Sequence, residues 1–271
     1  MLAAALTMHL ELDVSEAGGF EIDPGDPALA ADRSNLCVRA FERLRPADGL
    51  RFEVRSEIPP AAGLGSSAAA IVAGLVAADH LYELDHSREQ LLVLAAEIEG
   101  HPDNVAAALY GGFVICGHDA GGPTVSQLDP PQGVEALVVA PEGEEVSTEA
   151  ARAALPDAVP LADAAANVAA ASQLVLGIER SDLDLIARGL EDRLHQPHRA
   201  SLYPRSMEIV EAAPELGAIG ASISGAGPSV LVWCYWQTTG DVARKLEQRF
   251  GEWATINRVP FSPLGADVPE L

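Results

Sequence analysis

Lysine is almost missing from this chain. Lys245 is the one lysine in 271 residues, and every other basic side chain is an arginine. Positive charge as a whole is scarce, with 17 basic against 40 acidic residues and a formal net charge of −23. Such a field repels phosphate backbones and anionic headgroups, so nucleic acid and membrane surfaces are poor partners. A phosphate-binding site in this chain must rest on backbone N–H groups, a helix dipole, Mg²⁺ or arginine. Two origins account equally well for the acidity: a high-GC genome that favours Ala and Arg codons, or adaptation to salt.

Cysteine is sparse too. Cys37, Cys116 and Cys234 are widely spaced and form no CxxC pair, which argues against a disulfide framework and a structural zinc site. A reducing cytoplasm is the simplest setting. No basic stretch leads into an apolar run at the start, so no secretory signal is read. Residues 58–78 carry no charge, but Ala, Gly and Ser dominate them after Pro59-Pro60. These residues gain little from lipid, so the stretch reads as a loop feeding a buried helix of a soluble protein. The chain is not poor in apolar residues: 48% are hydrophobic, enough to exclude disorder.

Periodicity gives a coarse map. Leu10, Leu12 and Val14 alternate with charged residues, as in a half-buried strand. Phe20 and Ile22 read as its continuation across a Gly18-Gly19 turn. Residues 35–44 read as a helix with Leu36, Ala40, Phe41 and Leu44 on one face. Ser87-x-x-Gln90 is a capping box that starts a helix over 88–99. Pro102 reads as the first position of a short helix ending at Gly111-Gly112. The Pro-rich stretch 123–133 is the best linker. Beyond it come a strand at 136–139, helices near 148–154, 162–178 and 182–194, and then strand, glycine turn, strand, helix and strand over 218–259. Mixed strands and helices without a steady βαβα rhythm point to two α+β domains, 1–132 and 133–271.

The segment Pro59, Pro60, Ala61, Ala62, Gly63, Leu64, Gly65, Ser66, Ser67, Ala68, Ala69 is the most informative. Its glycines allow close backbone approach and positive φ, and the serines fall where a helix would begin. A helix start offers free N–H groups and the positive end of a dipole to an anion. The segment is not a Walker A loop, which needs Gly-Lys-Ser/Thr, and it contains no G-x-G-x-x-G. A purely structural helix start has about equal claim on these residues taken alone.

With those residues in view, the segment resembles the phosphate loop of the GHMP kinases. The run Ser222, Ile223, Ser224, Gly225, Ala226, Gly227, Pro228, Ser229 resembles the C-terminal glycine motif of that superfamily, a turn able to pack under the phosphate loop. Glu97-Ile98-Glu99-Gly100-His101-Pro102-Asp103-Asn104 and His195-Gln196-Pro197-His198-Arg199 resemble the homoserine kinases within it. The resemblance implies a two-domain GHMP kinase fold with its active site in the cleft between the domains. It implies transfer of the γ-phosphate of ATP, with Mg²⁺, to the side-chain hydroxyl of L-homoserine, a step of threonine biosynthesis.

Each residue then acquires an expected role. The loop from Pro59 to Ala69 would hold ATP, and Asn35 would face adenine. Ser67 and Glu99 would hold the metal, with Glu97 as the competing choice. Residues two apart on a helix point about 200° apart, so only one glutamate can face it; the preference for Glu99 rests on the resemblance. His101, Asp103, Asn104 and Arg199 would bind substrate, Arg199 through its fork on the carboxylate. Asp103 would orient or deprotonate the hydroxyl. Capping, for Asp103 and Asn104, and a surface ion pair, for Arg199, are the plainer readings. A homodimer is common for such folds.

One part of the family pattern is absent. Homoserine kinases begin with a strand and a P-A-S/T-S-A-N-L-G-P-G-F-D segment, and the match here starts just after it. The expectation is a true start upstream, with Met1 an internal methionine; a real truncation with a damaged substrate site is the other reading. A chain beginning at Met1 is then expected to have low or no kinase activity and reduced stability. Another GHMP small-molecule kinase and a non-catalytic binding protein of the same fold are the rival functions.

Overall fold

The computed structural model describes residues 1–144 and 146–268. Two compact units interleave along the chain. The first takes Met1–Pro60, Gly65–Leu128 and the segment from Ser262; the second takes Ala61–Leu64 and Asp129–Phe261. The expected division at 132/133 cuts the chain once. These units instead exchange residues 61–64 of the glycine loop and the closing segment.

The first unit holds β1 (Leu2–Ala4), β2 (Leu10–Glu16), β3 (Glu21–Asp23), α1 (Leu36–Glu42), β4 (Leu50–Ser56), α2 (Ser66–Leu81), α3 (Arg88–Glu99), α4 (Asp103–Tyr110), β5 (Phe113–Asp119) and β6 (Gly122–Leu128). Its sheets run β1-β5-β6 and β2-β4-β3. Alternation in β2 turns Leu12 and Val14 toward a core with Val38, Phe41, Leu50 and Phe52. A second core gathers Ile71, Val72 and Leu75 of α2 with Leu92, Val105 and Val114. The capping box of α3 forms as expected, with Ser87 and Gln90 each accepting from the other's backbone N–H.

Two sequence expectations change here. β3 does not extend β2 across the glycine turn; it lies parallel to β4, on the other side from β2. The 123–133 linker starts instead as β6, antiparallel to β5. Pro123, Thr124, Ser126 and Gln127 hide it from a hydrophobic pattern, and Pro is tolerated because β6 is an edge strand.

The second unit holds β7 (Val134–Pro141), α5 (Thr148–Ala153), α6 (Leu161–Arg180), α7 (Leu183–Gly189), α8 (Gln196–Arg199), α9 (Pro204–Ala212), β8 (Gly220–Ile223), β9 (Val230–Tyr235), α10 (Thr239–Phe250) and β10 (Ala254–Arg258). The sheet is antiparallel, in the order β10-β7-β9-β8. Val242, Leu246 and Phe250 sit one turn apart on α10 and are buried in the sheet's core. Each such side chain stabilises the fold by about 1.5–3 kcal/mol. The helix expected over 182–194 stops at Gly189. Among the described residues, α6 is the one helix long and apolar enough to cross a membrane by length and composition. Its Ala170, Leu174, Gly177 and Ile178 are buried, and its main neighbour is α7.

Candidate functional site

The glycine loop reaches α2 through tight backbone turns. Gly63 has φ +74°, and a Cβ there would lie 2.4 Å from the carbonyl oxygen of Ser224 and 2.7 Å from that of Gly227. No side chain fits such an approach. The Ser224 hydroxyl donates to the Gly63 carbonyl at 2.8 Å, and the Ser229 N–H points to the Ala62 carbonyl at 3.4 Å. Residues 61–63 thus pack on the glycine turn at 222–229, all within the second unit.

α2 begins without a cap. Gly65 is its N-cap residue, in the left-handed region, with no side chain to close the helix. No acidic residue occupies the first turn. The first N–H groups of a helix have no intrahelical partner, and the dipole of a 16-residue helix adds positive potential there. That combination suits an anion.

The Ser67 hydroxyl, in the first turn of α2, donates to Glu99 Oε1 at 2.7 Å. Glu99 ends α3, and Gly100 turns the chain away at φ +87°. Glu97 points elsewhere and pairs with Arg43 at 2.7 Å on an exposed surface. Helical phase therefore separates the two glutamates, and Glu99 is the one beside Ser67. Among the described residues no group of three or more His, Cys, Asp or Glu is gathered as for a metal ion. Magnesium asks for less: hard oxygens, usually one or two from protein, with phosphates and water completing the shell. A serine hydroxyl against a carboxylate meets that requirement.

α4 starts beside the same loop. A Cβ on Gly65 would meet Cβ and Cγ of Asn104 at 3.9 Å. Pro102 is the N-cap residue of α4 rather than its first residue. Asp103 Oδ1 accepts the Asn104 N–H at 2.9 Å and lies 2.8 Å from His101 Nδ1. A neutral His101 that donates from Nδ1 keeps an acceptor lone pair on Nε2.

Asn35 has a different place. It caps α1, its Oδ1 accepting from the Cys37 N–H while Nδ2 donates to the Ala30 carbonyl, and it is buried. Both ends of its side chain bond within its own segment, with one further donor and one further lone pair on the amide. Arg199, in the second unit, ends α8. Its Nε donates to the Ala151 carbonyl at 2.8 Å and its Nη1 to that of Gly225 at 3.4 Å. These two bonds fix the guanidinium, which also lies within hydrogen-bond reach of the Tyr203 hydroxyl. The three cysteines are buried and free, with the thiols of Cys37, Cys116 and Cys234 pushed up by burial to about 12, 11 and 12. They take no part in this arrangement.

Comparison with known proteins follows the same lines. The GHMP kinases N terminal domain matches residues 35–112, and the GHMP kinases C terminal domain matches residues 174–253. A homoserine kinase of Synechococcus sp. (strain WH7803) is 40% identical over 239 residues, covering 86% of this chain and 76% of that protein. This chain belongs to the homoserine kinase family of GHMP kinases. A solved homoserine kinase of Cytophaga hutchinsonii matches with a TM-score of 0.82 at 30% identity, over 94% of this chain and 86% of that one. The mevalonate kinase of L. major, solved with R-mevalonate, matches with a TM-score of 0.75 over 97% and 89% of the two chains. At 20% identity that likeness shows the fold alone. Within the family frame, sequence reasoning missed Asp192, which holds the turn before α8. Asp192 lay near the end of the 182–194 stretch read as helix, three residues before the His195–Arg199 run that was singled out.

Proposed function

We propose that this chain transfers the γ-phosphate of ATP to the side-chain hydroxyl of L-homoserine, giving O-phospho-L-homoserine and ADP. The observation that carries the reading is the uncapped start of α2, with the Ser67 hydroxyl 2.7 Å from Glu99. In the proposal the N–H groups and hydroxyls of Ser66 and Ser67 hold the ATP phosphates, with the backbone of residues 59–65 closing around them. Ser67 and Glu99 would hold Mg²⁺, which when bound neutralises charge on the phosphate oxygens.

Substrate recognition follows from the remaining donors and acceptors. Arg199 offers its free N–H groups to the amino-acid carboxylate, a geometry that lysine could not reproduce. His101, through Nε2, accepts a hydrogen bond from substrate, and Asn104 supplies an amide beside the glycine loop. The hydroxyl oxygen attacks the γ-phosphorus, the bond to the β-bridging oxygen breaks, and the hydroxyl proton leaves. Phosphoryl transfer leans on positioning and charge neutralisation, so Asp103 need only orient that hydroxyl and take up its proton late. Second copies of the chain as partners, and a cytoplasmic setting, remain part of the proposal by family likeness.

The test is ADP release from ATP–Mg²⁺ by the chain extended upstream through the expected first family segment, with L-homoserine, mevalonate and a sugar offered separately and the product identified by mass. Formation of O-phospho-L-homoserine in preference to other phosphoesters is the expected result. Faster transfer to another alcohol would replace homoserine as the substrate. Nucleotide binding without transfer to any of them would leave a binding protein.

A further inference from the structure

We infer that Asp192 is the positioning residue of Arg199: its carboxylate ties the turn before α8 so that the guanidinium is presented to the carboxylate of the substrate. The inference rests on the proposed role of Arg199 and goes beyond it, because Asp192 itself touches no ligand.

The geometry is that of a knot. Asp192 Oδ1 accepts from Asn167 Nδ2 at 2.9 Å and from the Leu194 N–H at 2.8 Å. Oδ2 accepts from the Gln196 N–H at 2.7 Å, and the His195 N–H is shared between both oxygens at 3.2 and 3.1 Å. Asn167 Oδ1 in turn accepts from the Arg193 N–H at 2.7 Å. One side chain of α6 and one carboxylate therefore satisfy four consecutive N–H groups, from Arg193 to Gln196. The next tie is Gln196, whose Oε1 accepts from the Ile223 N–H at 2.9 Å and joins α8 to β8. Three residues on, Arg199 is held by the carbonyls of Ala151 and Gly225.

The side chain of Asp192 is only 15% exposed. Burial alone would push its carboxyl up, but hydrogen bonds from His195, Gln196, Asn167 and Leu194 outweigh this and hold it well below the ordinary carboxylate range. α8 is a single turn with no side-chain cap of its own and no buried residue. So short a helix does not form unaided; the knot and the Gln196 tie give it its place.

Asp192→Asn tests this, since the amide keeps the size but replaces one acceptor by a donor facing N–H groups. The KM for homoserine is expected to rise roughly tenfold, the scale of a lost charge-assisted contact. The KM for ATP should stay within about twofold, and the effect should largely vanish in an Arg199→Lys background. A merely structural role would lower the melting temperature and kcat without selecting one substrate, and that result overturns the inference. If Arg199→Lys raises the KM for homoserine while Asp192→Asn leaves it unchanged, the inference fails and the proposed role of Arg199 stands. If Arg199→Lys leaves that KM unchanged, both fail. Should Asp192→Asn not fold, Asn167→Leu removes the amide that fixes Asp192 Oδ1 and the Arg193 N–H while leaving the carboxylate in place. It is expected to raise the homoserine KM and leave that for ATP, and an unchanged homoserine KM overturns the inference.

Discussion

α2 and α3 lie in the same unit, both begin at serines, and their starts are opposites. Ser87 stands at the N-cap of α3, where its hydroxyl accepts from the Gln90 N–H and Gln90 reaches back. Ser66 and Ser67 stand one and two places inside α2, after a glycine that cannot cap. A serine at the cap closes a helix, whereas serines in the first turn leave the N–H groups open and add hydroxyls to them. The first arrangement stabilises the fold, and the second gives up that stability and leaves N–H groups that suit an anion.

That contrast is open to direct attack. Glu99→Gln should lower kcat by roughly 10²-fold or more by removing charge beside Ser67, with little change in melting temperature. Glu97→Gln, two residues away and paired with exposed Arg43, should change kcat by less than about twofold. Steady-state rates for the two variants test whether the glutamate beside Ser67, and not the solvated one, takes part in turnover. Gly63→Ala forces a Cβ to within 2.4 Å of a carbonyl oxygen at positive φ. It should destabilise by about 2–3 kcal/mol, read by denaturant unfolding, and weaken ATP binding. Ser87→Ala removes a true cap, so it should cost about 1 kcal/mol in stability and leave turnover unchanged.

The smallest expected effect is in pH. Asp192 is held below its unfolded value, so its contribution is complete above the unfolded pKa and disappears as pH falls through the folded one. Thermal melts should show no loss from this group between pH 8 and 5, and a decline only below about pH 4. The buried thiols act in the opposite sense. Raised from 9.0 to about 11 or 12, they favour the folded state below the unfolded value, and that contribution is lost as pH climbs past about 9.

The sequence was most legible where chemistry is local. The glycine turn into the uncapped start of α2, the capping box and the phase difference between Glu97 and Glu99 all follow from residues within one or two turns. Asn35 was legible as a helix start but not as a residue with both side-chain ends already bonded. β6 escaped because an edge strand needs little apolar surface, and its partner β5 supplies the pairing. α8 and the Asp192 knot escaped for a related reason: their order comes from Asn167, 25 positions earlier, and from β8, 27 positions beyond Gln196. The interleaving of the units was hidden as well, since no composition shift marks a four-residue exchange within a glycine loop.

The most direct measurement is phosphorus NMR of the chain extended upstream through the expected first family segment, with ATP, Mg²⁺ and L-homoserine, run beside its Glu99→Gln variant. A new phosphomonoester signal growing with ADP, and nearly lost in the variant, is what the open helix start beside Glu99 predicts. Equal signals from both proteins would contradict it.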